Sequence, residues 1–177
     1  MSLSDVAEIA NIVNTVIVTL TFIVLIVSIR QNTQSQRVVA VQSLTAAIAA
    51  INVPAIESPA VGVALLNVTR DWHSASRDER IIAHFFLFCY FKLAEQAWYQ
   101  HKSKVLDDGQ WAGWERSVRL YYHSPGVKIV WWPHRRNAYS TEFQSYLAST
   151  TADTGVGALS DMFEPLPVST PTGSHAT

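Results

Sequence analysis

Apolar positions in this chain change their pattern at Arg30. From Ile9 to Ile29 they dominate 21 consecutive residues with no charge, proline or glycine. After Arg30 they recur at helical spacing. Val41, Leu44, Ile48 and Ile51 form one stripe on a surface of Gln, Ser and Ala. The first pattern predicts a helix about 31 Å long, enough to cross the hydrocarbon core of a bilayer. Fourteen of its residues are Ile, Val or Thr, which favour strands in water. Length decides for a helix, because a strand of that extent is rare and lipid requires backbone pairing within the segment. A cleavable secretory signal is disfavoured. Residues 1–8 carry Asp5 and Glu8 but no Lys or Arg, and no small-residue cleavage site follows a short apolar core. Ser4 is the expected N-cap.

The remaining pattern predicts a small helical bundle over residues 30–149. The first helix continues into water and is expected to end at Val53-Pro54. Ser58-Pro59 restarts a helix to about Asp71, with serine as cap and proline in the first turn. Ser76-Arg77-Asp78-Glu79 is a capping box opening a long helix over about 77–104. The centre of that helix, Ile81 to Phe91, is uncharged and aromatic but too short to be a second span, so it is expected to be buried on most sides. Asp107 is expected to cap a fourth helix. Ser124-Pro125-Gly126 starts a short one ending near Pro133, and Ser140 caps a last helix to Ala148. No segment alternates with period two between hairpin turns, so the expected fold class is all-α. The expected organisation is a short N-terminus, residues 1–8, then a transmembrane helix, residues 9–29. The helical domain follows, and residues 150–177 form an extended tail.

Polar groups within the span cluster. At roughly 100° per residue, Asn11, Asn14, Thr15, Thr19 and Thr21 share one half of the helix. The other half is aliphatic. A cross-helix hydrogen bond in lipid contributes about 0.6–2 kcal/mol, so Asn11, Asn14 and Thr15 are candidate contacts with another membrane protein. The bland alternative is threonine bonded to its own backbone and asparagine at headgroup level. Flanking charge sets orientation: Arg30 and Arg37 follow the span and no base precedes it, which predicts the N-terminus outside and the rest cytoplasmic.

Several residues carry a resemblance. After the span come Ile29-Arg30-Gln31-Asn32-Thr33, then Trp111 and Trp114, Ser124-Pro125-Gly126, Trp131-Trp132, Arg135-Arg136 and Phe143. Over about residues 10–148 the chain resembles an uncharacterised family of bacterial membrane-anchored proteins. The resemblance implies a bacterial inner membrane and an all-helical domain, and no activity.

Candidate chemistry is sparse. The six histidines stand at least eleven residues apart and no Glu-x-x-His occurs, so no metal site is expected. The span has no histidine to ligate a haem, and no cofactor is expected. No phosphate loop or nucleophile elbow is present. His84, Cys89 and Glu95 lie on one helix, but His84 and Glu95 are about 16 Å apart along it. A core histidine and a small buried thiol are the plainer reading. The lone cysteine fits a reducing compartment.

Residues 30–149 hold all 13 Lys and Arg against nine acids. The acid-free stretch Arg116–Arg136 interleaves bases with aromatics. Trp131, Trp132, Arg135 and Arg136 are therefore candidates for a membrane interface or an anionic partner; the equal alternative buries the aromatics in the bundle and leaves the arginines solvated. A net charge of +4 over that region is weak for nucleic acid. The tail has 15 Ser, Thr, Gly or Pro in its 28 residues, a composition that does not order itself. Leu159, Met162, Phe163 and Leu166 are its apolar exceptions and are expected to pack on another chain or, failing that, on the helical domain.

These features lead to the expectation of a non-enzymatic, single-span accessory subunit of a larger membrane complex, with other membrane-protein subunits and anionic lipid as partners. A respiratory or photosynthetic complex is a natural host. The alternative is a free-standing membrane-anchored sensor or enzyme with a ligand pocket in its bundle, lined by His84, Cys89 and Glu95.

Overall fold

The computed structural model describes the backbone over residues 3–153 and side chains over residues 11–153, Ala55 excepted. Among the described residues there are six α-helices: α1 Leu3–Glu57, α2 Pro59–Arg70, α3 Arg77–Lys102, α4 Asp108–His123, α5 Trp132–Arg135 and α6 Thr141–Ser149. A π-helix, Gly126–Trp131, precedes α5, and a 3₁₀ turn, Arg136–Ala138, follows it. Among the described residues there is no strand, and the fold is all-α. The chain divides into two units, Met1–Ser43 and Leu44–Thr177.

The first unit is helical throughout its described length, and among the described residues the stretch of α1 that is long and apolar enough to cross a membrane, Asn11–Pro54, begins in it. None of its most apolar 18-residue window is buried. Ser4 lies inside α1, which begins at Leu3, so it is not the N-cap. Thr15 Oγ1 donates to the Asn11 carbonyl at 2.9 Å, Thr19 to Thr15 at 2.8 Å and Thr21 to Ile17 at 2.8 Å. Each hydroxyl is thus satisfied four residues back.

The second unit starts with the last turns of α1. Leu44 is buried, and Ile48 and Ile51 pack against the core. Pro54 does not end the helix, contrary to the sequence expectation; α1 continues to Glu57. Proline has no N–H to give, but its carbonyl still accepts the Ser58 amide at 2.9 Å. One rung is lost rather than the helix. Ser58 then precedes α2 with Pro59 in the first turn, as expected, although its side chain makes no capping bond.

Capping fixes the next boundaries. Ser76 Oγ accepts from the Glu79 amide at 3.2 Å, and Glu79 accepts the Ser76 amide at 2.7 Å. Asp107 and Gln110 build a second capping box at α4. Helix α3 ends with Lys104 at φ 59°, in the left-handed region. The Val105 amide reaches Gln100 at 2.8 Å and the Lys104 amide reaches His101 at 2.9 Å, the paired bonds of a Schellman ending.

An aromatic core joins these helices. Phe91, fully buried, lies 5.5 Å from the Trp131 ring and 5.4 Å from the Trp132 ring. Trp132 stacks on Tyr139 at 5.1 Å. Val118, Val127, Phe143 and Leu147 complete the interior. The π-helix approaches α2 closely at Gly126. A Cβ there would sit 1.7 Å from the Val68 carbonyl oxygen, so only glycine fits. The wide turn places Trp131 and Trp132 side by side in the core. Pro133 falls in the first turn of α5 instead of ending the helix, where a missing N–H is tolerated.

Candidate functional site

Two surfaces, one in each unit, are the candidates for function. In the first unit, the side chains from Ile12 to Ile29 that are large and apolar stand exposed around the helix, Phe22 and Val24 among them. Asn11, Asn14 and Thr15 are exposed with them. The Thr15 hydroxyl is occupied by its own backbone, which supports the bland reading for that residue. The asparagine amides are the groups of this face with polar capacity to offer a neighbour.

In the second unit, a cleft of about 440 Å³ opens beside α3. Its walls are His84, Phe85 and Phe88 from α3, and His134, Arg135 and Asn137 from α5 and the 3₁₀ turn. The Trp131 indole N–H donates to His84 Nδ1 at 3.1 Å. That bond leaves the imidazole proton on Nε2, as a donor. Burial, with the Arg135 charge second, lowers the His84 pKa and keeps the ring neutral at pH 7. Phe85 is 64% exposed at the mouth. Arg135 and Arg136 are exposed and have no acidic partner among the described residues.

The structure separates the residues grouped by sequence. Trp131 and Trp132 are 2% and 6% exposed, so the surface role expected for them is corrected to a core role. The π-helix sets them inward while Arg135 and Arg136, one turn on, face solvent. Cys89 is exposed, not a buried thiol, and it does not line the cleft. Helix α3 buries a broad face but leaves a stripe open at Ile81, Phe85 and Cys89, four residues apart. Glu95 also lies outside the cleft. It accepts the Ser140 amide at 2.7 Å and Lys92 Nζ at 3.0 Å. Burial pushes its carboxyl up, but these partners outweigh that and hold its pKa below the usual carboxylate value. It is therefore a structural latch between α3 and α6. Among the described residues no His, Cys, Asp and Glu cluster could hold a metal. Leu159, Met162, Phe163 and Leu166 lie outside the described residues.

The sequence reading missed a second polar cluster, where the chain leaves α6. His123 Nε2 donates to Thr150 Oγ1 at 2.9 Å, and Lys128 Nζ donates to His123 Nδ1 at 3.1 Å. Arg119 Nε donates to the Thr151 carbonyl at 2.8 Å. Burial first, then Lys128 and Arg119, depress the His123 pKa. Residues in this cluster stand up to 32 positions apart, so no spacing rule reveals it.

The chain matches no family model, no curated protein and no solved structure, and the family resemblance rests on its own residues alone.

Proposed function

We propose that this protein is a non-enzymatic accessory subunit of a larger bacterial membrane complex, held by a single span with its N-terminus outside and its helical domain cytoplasmic. The observation that carries this reading is the exposed apolar helix of the first unit. A mostly apolar, uncharged surface of that extent needs lipid or protein around it. Two asparagine amides within it need partners that lipid cannot supply. The basic flank at Arg30 and Arg37 supports the orientation. Arg135 and Arg136, exposed and without acidic partners among the described residues, suit anionic lipid or an acidic subunit surface. The tail residues Leu159, Met162, Phe163 and Leu166 add an apolar grip on the same partner.

Site-specific photocrosslinking in intact membranes tests the span. A photoreactive residue at position 14 should give a discrete adduct with another membrane protein, and one at position 16, on the aliphatic half, should react mainly with lipid. Lipid adducts alone at both positions would remove the span as a docking surface.

A second reading, a free-standing membrane-anchored ligand-binding protein, is favoured by one observation, the cleft at His84.

A further inference from the structure

We infer that the cleft beside α3 binds a monocarboxylate with an aromatic body, its carboxylate held by Arg135 and His84 and its body laid against Phe85 and Phe88. The inference deepens the ligand-binding reading and rests on the cleft alone, so it stands or falls separately from the accessory-subunit reading. A volume of about 440 Å³ lies in the range that accommodates small ligands. The walls are divided by chemistry. One side is two phenyl rings, with Phe85 64% exposed at the mouth. The other side holds the Arg135 guanidinium, the His134 imidazole and the Asn137 amide, and the His84 imidazole stands on α3 with the phenyl rings.

Charge selects the ligand. Arg135 makes no ion pair among the described residues, so its fork of donors is open to an anion. A guanidinium matches a carboxylate with two parallel hydrogen bonds. His84 cannot accept from the ligand through Nδ1, because the Trp131 indole occupies that nitrogen at 3.1 Å. It offers Nε2–H, a donor suited to a carboxylate oxygen. One permanently charged side chain, Arg135, balances a monoanion. A phosphate dianion would keep a surplus charge in a partly desolvated site. The phenyl walls then favour a planar body, which they can face or meet edge-on.

The experiment uses the full chain in nanodiscs of zwitterionic lipid, titrated with 4-phenylbutyrate, with the Trp131 indole N–H resonance as readout. That proton sits on His84, so occupancy of the cleft should move it. The expected result is a saturable shift that weakens at least tenfold, about 1.4 kcal/mol, in Arg135→Gln and again in Phe85→Ala. Both residues are exposed, and unchanged resonances of the other indoles would establish that the variants fold. The uncharged 4-phenylbutyramide should bind at least tenfold more weakly than the carboxylate. Equal binding of the amide would overturn the carboxylate assignment and leave an apolar cleft. Tighter binding of phenyl phosphate, or the same shift produced by anionic lipid alone, would likewise replace the assigned ligand. No saturable shift with any probe would overturn both the inference and the ligand-binding reading.

Discussion

Single residues in the helical domain are held by two opposite constraints, lack of room and lack of conformational freedom. Gly126 is the first case. With the Val68 carbonyl oxygen 1.7 Å from a would-be Cβ, Gly126→Ala must push α2 and the π-helix apart. The cost should be at least the 1–3 kcal/mol typical of overpacking, read as a lower midpoint in denaturant. Lys104 is the second. It pays a left-handed strain at φ 59° to complete a Schellman ending that glycine would complete without strain. Lys104→Gly should raise stability by about 1 kcal/mol, and a loss of stability would mean the lysine side chain supports the turn. The histidines act through protons. His84 and His123 both have pKa values below the ordinary 6.5, so each binds a proton more weakly folded than unfolded. Their contribution is complete above about pH 6.5 and is lost as pH falls through that value toward the folded pKa. The melting temperature should therefore decline from pH 7 to pH 5, and His123→Gln should flatten part of that decline.

Helices show which signals survive in a sequence and which do not. Ser76 with Glu79, Asp107 and Ser140 were legible as caps because a cap is local: four residues carry it. The fold class followed from the same periodicity. Trp131 and Trp132 were legible as important, with an interface role and a core role both open. Their direction depends on a π-turn, whose extra residue per turn leaves no mark on a 3.6-residue pattern. Pro54 misled for a related reason, since a proline costs one rung and its own carbonyl, which accepts the Ser58 amide, still carries the helix on. The cleft combines side chains from α3 with others about 50 positions later. It was invisible apart from Arg135 and the histidine facing it. Glu95 was noticed as a possible acid and is a latch. Glu95→Gln should cost about 1–2 kcal/mol by weakening charge-assisted bonds to Ser140 and Lys92, measured by denaturant unfolding. In the span, Thr15→Val should leave assembly unchanged because the hydroxyl already bonds Asn11. Asn14→Leu should weaken it.

The whole molecule is read as an anchor and a domain with separate tasks. The chain contains one cysteine, Cys89, and it is exposed, which makes topology measurable without any substitution. In intact spheroplasts a membrane-impermeant maleimide should leave Cys89 unmodified and should label it after lysis. Labelling of intact cells would reverse the orientation argued from Arg30 and Arg37. The central claim, that this is a subunit of something larger, is tested most directly by the mass and composition of the native assembly. Extracted in a mild detergent and sized with its lipid and detergent accounted for, the 19.7 kDa chain should migrate within an assembly several times its mass that contains other membrane proteins in fixed stoichiometry. A particle holding a single copy of this chain, or copies of this chain alone, would contradict the account.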